Sequence, residues 1–470
     1  MTDFQMTVDG KAAAASETFD VINPADESVV AACPQGNIEL LDQAIAAARR
    51  AFPAWSALPD AQRVAKLNEI ADRIEARQAE LAELITKEQG KSLHGPGSLF
   101  EVGGAVAWTR VTAGLELPVE VIQDDEKGLI ELHRRPVGVV GSITPWNWPF
   151  IIATWHIMPA LRVGCTIVIK PSPFTPLSTL RLVEIINEVL PPGVCNVVTG
   201  DAEVGNRMSS HPDIDKIVFT GSIPTGKHVM KNAADSLKRL TLELGGNDAG
   251  IVLPNTDIAS KIKGLFWGCF LNAGQTCAAL KRLYVHEDQY EEVCEALVEF
   301  IANVKVGNGL DKDTAIGPLS NKMQYDKVCA MVDDARAAGA RILCGGRPSA
   351  GPGYFYPLTV IADATDDMRV VREEQFGTVI PVLKYKSVEE AVERANSLEV
   401  GLGGSVWGDD KTEATRIAQQ LNCGTAWVNQ HGPLNPLAPF GGVKCSGIGV
   451  QFNVDGLREY TTVQVVNVAA

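Results

Sequence analysis

No Cys-x-x-Cys pair occurs in the 470 residues, although ten cysteines are scattered through them. That absence argues against a zinc ribbon and against a thioredoxin-type site. Free thiols spread along a long chain point instead to a reducing compartment, so a cytoplasmic location is expected. The seven histidines show no His-Glu-x-x-His or related spacing, and no metal site is expected. None stands where it could serve as base for a cysteine, which counts against a papain-like hydrolase. No basic block interrupts a chain of formal net charge -15, so no nucleic-acid partner is expected. The start, Met-Thr-Asp-Phe-Gln-Met, lacks the basic and apolar segments of a signal peptide. Residues 136–161 contain no charged side chain, yet Pro136, Pro145, Pro149 and Pro159 interrupt them. So many breakers exclude a membrane-spanning helix and favour a buried strand (137–143), a Pro-Trp loop and a buried helix. Repeats and low-complexity segments are also absent.

What is present is the composition of a water-soluble globular chain, 46% hydrophobic and 21% charged, too long for one simple core. Residues 21–30 read as a hairpin, and 38–55 and 61–91 as long amphipathic helices. Segment 129–134 alternates like an exposed strand. Then apolar strands at 137–141, 166–170, 195–198 and 217–220 alternate with helical stretches such as 178–190, which predicts a parallel sheet covered on both faces. A second α/β segment follows Glu243, with strands at 249–253, 282–285, 341–343 and 379–385 and helices at 288–304, 321–338 and 387–397. The tail, 457–468, reads as a strand that pairs at an edge, here with another subunit.

The chemistry concentrates in two runs. Asn272-Ala273-Gly274-Gln275-Thr276-Cys277 sets a thiol among small and polar residues, unlike the apolar setting of a structural cysteine. Leu242-Glu243-Leu244-Gly245-Gly246 sets a lone carboxylate before a Gly-Gly break. A nucleophilic thiol and a carboxylate that activates water are the two parts needed to make and then hydrolyse a thioester. Three further runs have two readings each. Phe219-Thr220-Gly221-Ser222 leads into a helix and suits pyrophosphate, or is an ordinary strand-to-helix turn. Lys170 ends a strand, where it meets a ribose or phosphate or is merely solvated. Asn147, in Pro145-Trp146-Asn147-Trp148-Pro149, is a rigid amide donor for an oxyanion, or satisfies its own loop.

Together with Lys170-Pro171-Ser172, Glu373-Glu374-Gln375-Phe376-Gly377 and Pro439-Phe440-Gly441-Gly442, these runs resemble the NAD(P)-dependent aldehyde dehydrogenases over nearly the whole chain. The resemblance implies an α/β fold: a Rossmann-type cofactor domain (1–115 and 137–244), an α/β catalytic domain (245–445), and oligomerisation strands (116–136 and 457–470) in a homodimer or homotetramer. It implies Cys277 as nucleophile, Glu243 as general base, and Asn147 with the Cys277 backbone N–H as the oxyanion site. Around NAD or NADP it implies Trp146 and Ser222 at the pyrophosphate, and Lys170 and Ser172 at the adenosine ribose. Glu374 and Phe376 would lie at the nicotinamide end, with Gly221, Gly226 and Gly245 along the cofactor's path. Trp148, Trp155, Phe270, Leu434, Leu437 and His431 would border the substrate channel, which favours an apolar or aromatic aldehyde.

Three positions depart from the family pattern. Pro173 stands where NAD-preferring relatives carry a glutamate, which opens the site to NADP. Gln451 replaces an auxiliary glutamate, and Thr378 a proline. Two alternatives carry different expectations. A CoA-acylating relative would lack the base, and a crystallin-like structural relative would lose nucleophile or base. Cys277 and Glu243 are both present.

Overall fold

The apolar runs that alternate with helical periodicity become strands buried on both faces. The computed structural model of the protein describes residues 4–470; Met1, Thr2 and Asp3, part of the stretch read for a leader, lie outside the described residues. Five parallel strands lie side by side in the order Cys195–Val197, Thr166–Lys170, Val139–Ile143, Lys216–Thr220, Arg239–Glu243. Met6–Val8 and Lys11–Ala13 extend one edge antiparallel, and Gly447–Ile448 caps the other. A second sheet has seven strands, ordered Arg341–Cys344, Thr359–Ala362, Val379–Tyr385, Leu280–His286, Asp248–Val252, Gly403–Trp407, Thr425–Val428. Each sheet has its own apolar core. The tail strand Thr461–Ala469 pairs with Gly128–Pro136, and that with Glu120–Asp125, in a separate antiparallel sheet. This small sheet leaves Val121, Ile122, Val463, Val465 and Val468 exposed.

Some expected elements need correction. The helix expected over 61–91 is two helices, Asp60–Ala76 and Gln78–Gln89, separated by Arg77 at φ −112°, ψ 15°. The break turns the second helix so that Glu88 caps the helix Leu177–Asn187, accepting from the N–H groups of Leu177 (2.7 Å) and Ser178 (3.0 Å). A helix at Ser98–Gly114 and a strand at Arg239–Glu243 were not expected. The start of the tail is the helix Asn453–Arg458 rather than strand. Among the described residues no helix is long and apolar enough to cross a membrane, and no cluster of His, Cys, Asp and Glu could hold a metal.

Candidate active site

In a parallel sheet the carboxyl ends of the strands are where ligands bind, and several of the expected residues arrive there by register. Ile143 pairs with Lys170 and Thr220 with Glu243, so the Pro145-Trp146-Asn147 loop, Lys170, the Gly221-Ser222 turn and Glu243 share one edge. From Glu243 the chain crosses to the second sheet through Leu244-Gly245-Gly246-Asn247, entering it at Asp248. Gly245 lets Glu374 approach this crossing: a Cβ would lie 2.5 Å from the Glu374 carboxylate and push it aside.

The second sheet contributes the thiol. After the helix Ile258–Phe270 the backbone turns through three consecutive left-handed residues, Asn272 (φ 53°), Ala273 (φ 57°) and Gly274 (φ 73°). For the two non-glycines this costs on the order of 1–2 kcal/mol each, strain of the kind that persists where the surroundings impose it. Here cross-links from the first sheet's loop impose it. Asn147 Nδ2 donates to Gln275 O (2.9 Å), Asn272 Nδ2 donates to Asn147 O (2.8 Å), and Trp148 Nε1 donates to Thr276 Oγ1 (3.0 Å). Behind them Lys91 Nζ donates to Asn147 O (2.8 Å), lies over the Trp148 ring and pairs with buried Glu101 at 2.5 Å. Glu101 in turn accepts from the N–H groups of Phe150 and Ile151 at the start of the next helix.

Cys277, Glu243 and Asn147 line one open cleft of about 280 Å³, together with Trp146, Gly221, Ser222, Gly245, Glu374 and Phe376. Both carboxylate oxygens of Glu243 are buried without a hydrogen-bond partner. Burial, and then the negative charge of Glu459, push the Glu243 carboxyl well above the usual carboxylate range. Burial also pushes the Cys277 thiol up to about 12, opposed by the charge of Lys281. The site therefore rests as a thiol beside an unusually basic carboxyl that is free to engage a water.

On the cofactor side Ser222, which lines the cleft, is the N-cap of the helix Ile223–Ala233, so that helix presents its positive dipole end there. Gly226 is overlaid by Leu244, where a Cβ would meet Cδ2 at 2.5 Å. Trp146 and Phe376 meet edge to face at 5.3 Å. This donor set fits a dinucleotide, with a helix N-terminus for phosphate and a carboxylate, Glu374, for ribose hydroxyls. Three lining residues went unread in the sequence: Met323, Gln324 and Lys327, from the helix Lys322–Ala337. Gln324 Nε2 donates to Gln375 O (2.8 Å) and Lys327 Nζ to Glu374 O (2.7 Å), so this helix holds the Glu374-Phe376 segment. Their three-residue spacing on one helix face was the available signal. Lys170, Ser172 and Pro173 lie outside that lining, one strand away. Lys170 is buried and lowered to about 8 by desolvation, with Asp201 opposing. Ser172 Oγ accepts from Phe174 N (3.3 Å), and Pro173 is exposed.

The substrate-channel set is brought together only in part. Trp155 packs with Trp108 and Phe452 at ring distances of 5.7 and 4.8 Å, and Phe452 stacks on Phe440 at 6.1 Å. Cys277, Leu434 and Phe452 all pack against one small cluster that contains Phe440 and Trp427. Trp148 is tied beneath the Cys277 turn, and Leu437 faces solvent. Phe270 needs correction: it is wholly enclosed in the second core against Phe266, because the helix turns its last apolar residue inward. His431 needs correction too. Its ring is buried, with Nδ1 2.9 Å from Ser405 Oγ and Nε2 3.5 Å from the buried Asp248 carboxylate without a hydrogen bond between them, so it packs inside the second domain's sheet rather than along the cleft. Trp108 and Phe452 were missed; Phe452 sits at φ 67°, which its sequence neighbours do not signal.

Comparison with known proteins supplies independent evidence. The Aldehyde dehydrogenase family model matches residues 11–466. The chain is 38% identical to the chloroplastic betaine aldehyde dehydrogenase of Beta vulgaris, over 95% of this chain and 92% of that one. It superposes on the aldehyde dehydrogenase of Bacillus cereus, solved as an NAD+ complex, with TM-score 0.97 and 39% identity, covering 99% of this chain and 96% of that one. A betaine aldehyde dehydrogenase of Staphylococcus aureus, also solved with NAD+, gives TM-score 0.95 at 36% identity over 98% and 94%. With nearly the full length matched in sequence and in fold, the chain belongs to the aldehyde dehydrogenase family.

Proposed function

We propose that the protein oxidises an aldehyde to its carboxylic acid through a thioester on Cys277, with NAD or NADP as cofactor. The observation that carries this reading is the shared cleft, in which Cys277 and the unpartnered Glu243 carboxylate face the same space as Trp146, Ser222, Glu374 and Phe376. The Cys277 sulfur bonds to the carbonyl carbon, its proton passes to a base, and the carbonyl oxygen becomes an alkoxide. A side-chain amide held as rigidly as that of Asn147 stabilises such charge without reorganising. A bound nicotinamide cofactor would supply the hydride acceptor, and Ser222 would hold it at its phosphates and Glu374 and Phe376 at its nicotinamide end. Loss of hydride leaves a thioester on Cys277. Glu243 then takes a proton from water as the water oxygen bonds to the acyl carbon, and the acid departs as the Cys277 thiol is restored.

The apolar wall of Trp108, Trp155, Phe440 and Phe452 favours an apolar or aromatic aldehyde. The exposed valines on the small antiparallel sheet make it the assembly edge of a homodimer or homotetramer. Cys277→Ser tests the reading. Turnover of an aromatic aldehyde falls below measurement while the melting temperature holds, because serine is a much poorer nucleophile at neutral pH without a paired base. Retention of about a tenth of wild-type turnover by this variant removes Cys277 from the role of nucleophile.

A further inference from the structure

Lys281 is the first inward-facing basic residue of the strand Leu280–His286. Successive side chains on a strand face opposite ways. Its neighbour Arg282 turns to the carbonyls of Asn247 and Ala395, and Lys281 turns to the cleft side. Its side chain is only 3% exposed. Nζ donates to Thr276 O (2.8 Å) and Cys277 O (2.6 Å), the two carbonyls of the turn that carries the thiol. The same ammonium lies 2.9 Å from Glu374 Oε1 and 5.6 Å from the centre of the Phe376 ring. One buried cation thus joins the thiol-bearing turn to the segment on the nicotinamide side.

We propose that Lys281 is a positioning residue that seats the Cys277 turn and the Glu374 carboxylate on a single ammonium, so that engagement of the cofactor's ribose by Glu374 is felt at the nucleophile. The proposal rests on the assignment of Cys277 and Glu374 made above. A flexible tether would not serve, because a reacting atom misplaced by about 1 Å costs on the order of 100-fold in rate. Lysine suits the task because its ammonium combines several donors with a charge: two carbonyls accept from it, and the Glu374 carboxylate lies beside it as an ion pair. The charges around the thiol come from several elements. Glu243 ends one strand, Asp248 begins another, Glu374 follows the short helix Arg369–Arg372, and each raises the thiol, whereas Lys281 lowers it. His431 lies against Asp248, and Lys327 holds the Glu374 backbone.

The test is the rate of alkylation of Cys277 by iodoacetamide at one alkaline pH, read on the Cys277 peptide by mass spectrometry, together with kcat and the KM for NAD and NADP. In Lys281→Met that rate falls about tenfold, the effect of removing a nearby opposite charge. The cofactor KM rises about tenfold, on the scale of one lost interaction with a charged group. Lys281→Arg restores the alkylation rate. A folded Lys281→Met protein with the wild-type alkylation rate and cofactor KM overturns the proposal. Glu374→Gln tests the other end with Lys281 in place: its alkylation rate rises, and an unchanged rate also overturns the proposal. Failure of the parent reading is separate, because it appears as turnover retained in Cys277→Ser whatever Lys281 does.

Discussion

Replacing Asn147 with alanine separates holding the loop from stabilising charge. The backbone carbonyl of Asn147 receives Lys91 Nζ and Asn272 Nδ2, and alanine leaves both bonds in place. What is lost is the side-chain amide, 2.9 Å from Gln275 O in a residue 3% exposed. Gln275 O keeps a longer contact from Asn272 Nδ2 at 3.4 Å, so it is not stripped of every donor. The stability cost is therefore that of one buried hydrogen bond, about 1–3 kcal/mol. The catalytic cost is larger. Removing one oxyanion donor costs about 2.7–4 kcal/mol, or 100- to 1000-fold in turnover. Stopped-flow formation of reduced cofactor at saturating aldehyde measures it, with thermal unfolding run in parallel. Hydride transfer slows by that factor while KM changes little, because the charge develops only along the reaction path. A defect confined to KM, or a loss of stability with hydride transfer unaltered, refutes the assignment.

Two further perturbations probe charge. Burial and the charge of Glu459 both hold the Glu243 carboxyl protonated to higher pH than usual. The base form appears only as pH climbs through that raised value, so acyl-enzyme hydrolysis accelerates with pH. Glu459→Gln removes the like charge, lowers the Glu243 pKa and moves the acceleration to lower pH; a shift upward, or none, contradicts the electrostatics. For the cofactor, Pro173 supplies no carboxylate to Lys170, and the charge that opposes its desolvation comes from Asp201, the N-cap of the helix Ala202–Ser210. NADP is accepted along with NAD, and Pro173→Glu moves kcat/KM toward NAD. A wild-type preference for NAD above about 100-fold, roughly 2.7 kcal/mol, excludes this reading of the ribose site.

The reactive groups were legible because chemistry restricts residue type. A thiol among small polar residues and a carboxylate before Gly-Gly have few structural uses, and both line the cleft. The strand ends were legible because wholly apolar runs announce a two-sided parallel sheet. Orientation was not. Phe270 and His431 stand near Cys277 in the chain or in the family pattern, but packing turned one into the core and set the other against Asp248 and Ser405. The helix Ser98–Gly114 was hidden by Gly103, Gly104 and Gly114, which are poor helix formers. At Gly104 the Ile151 side chain of the next helix comes within 2.7 Å of where a Cβ would sit, a contact between helices that local sequence does not encode. The split at Arg77 has a similar origin, since the second helix must turn for Glu88 to reach the helix it caps. Lys281 escaped notice because a lysine at the start of a strand looks solvated until its partners are known.

The central claim is that Cys277 forms a thioester and Glu243 drives its hydrolysis. Glu243→Gln, mixed rapidly with aldehyde and cofactor, tests it most directly. The account predicts a burst of reduced cofactor approaching one equivalent per site, then very slow turnover, with the acyl mass recovered on the Cys277 peptide after acid quench. Steady-state turnover at the wild-type rate, or a burst without an acylated Cys277, contradicts it.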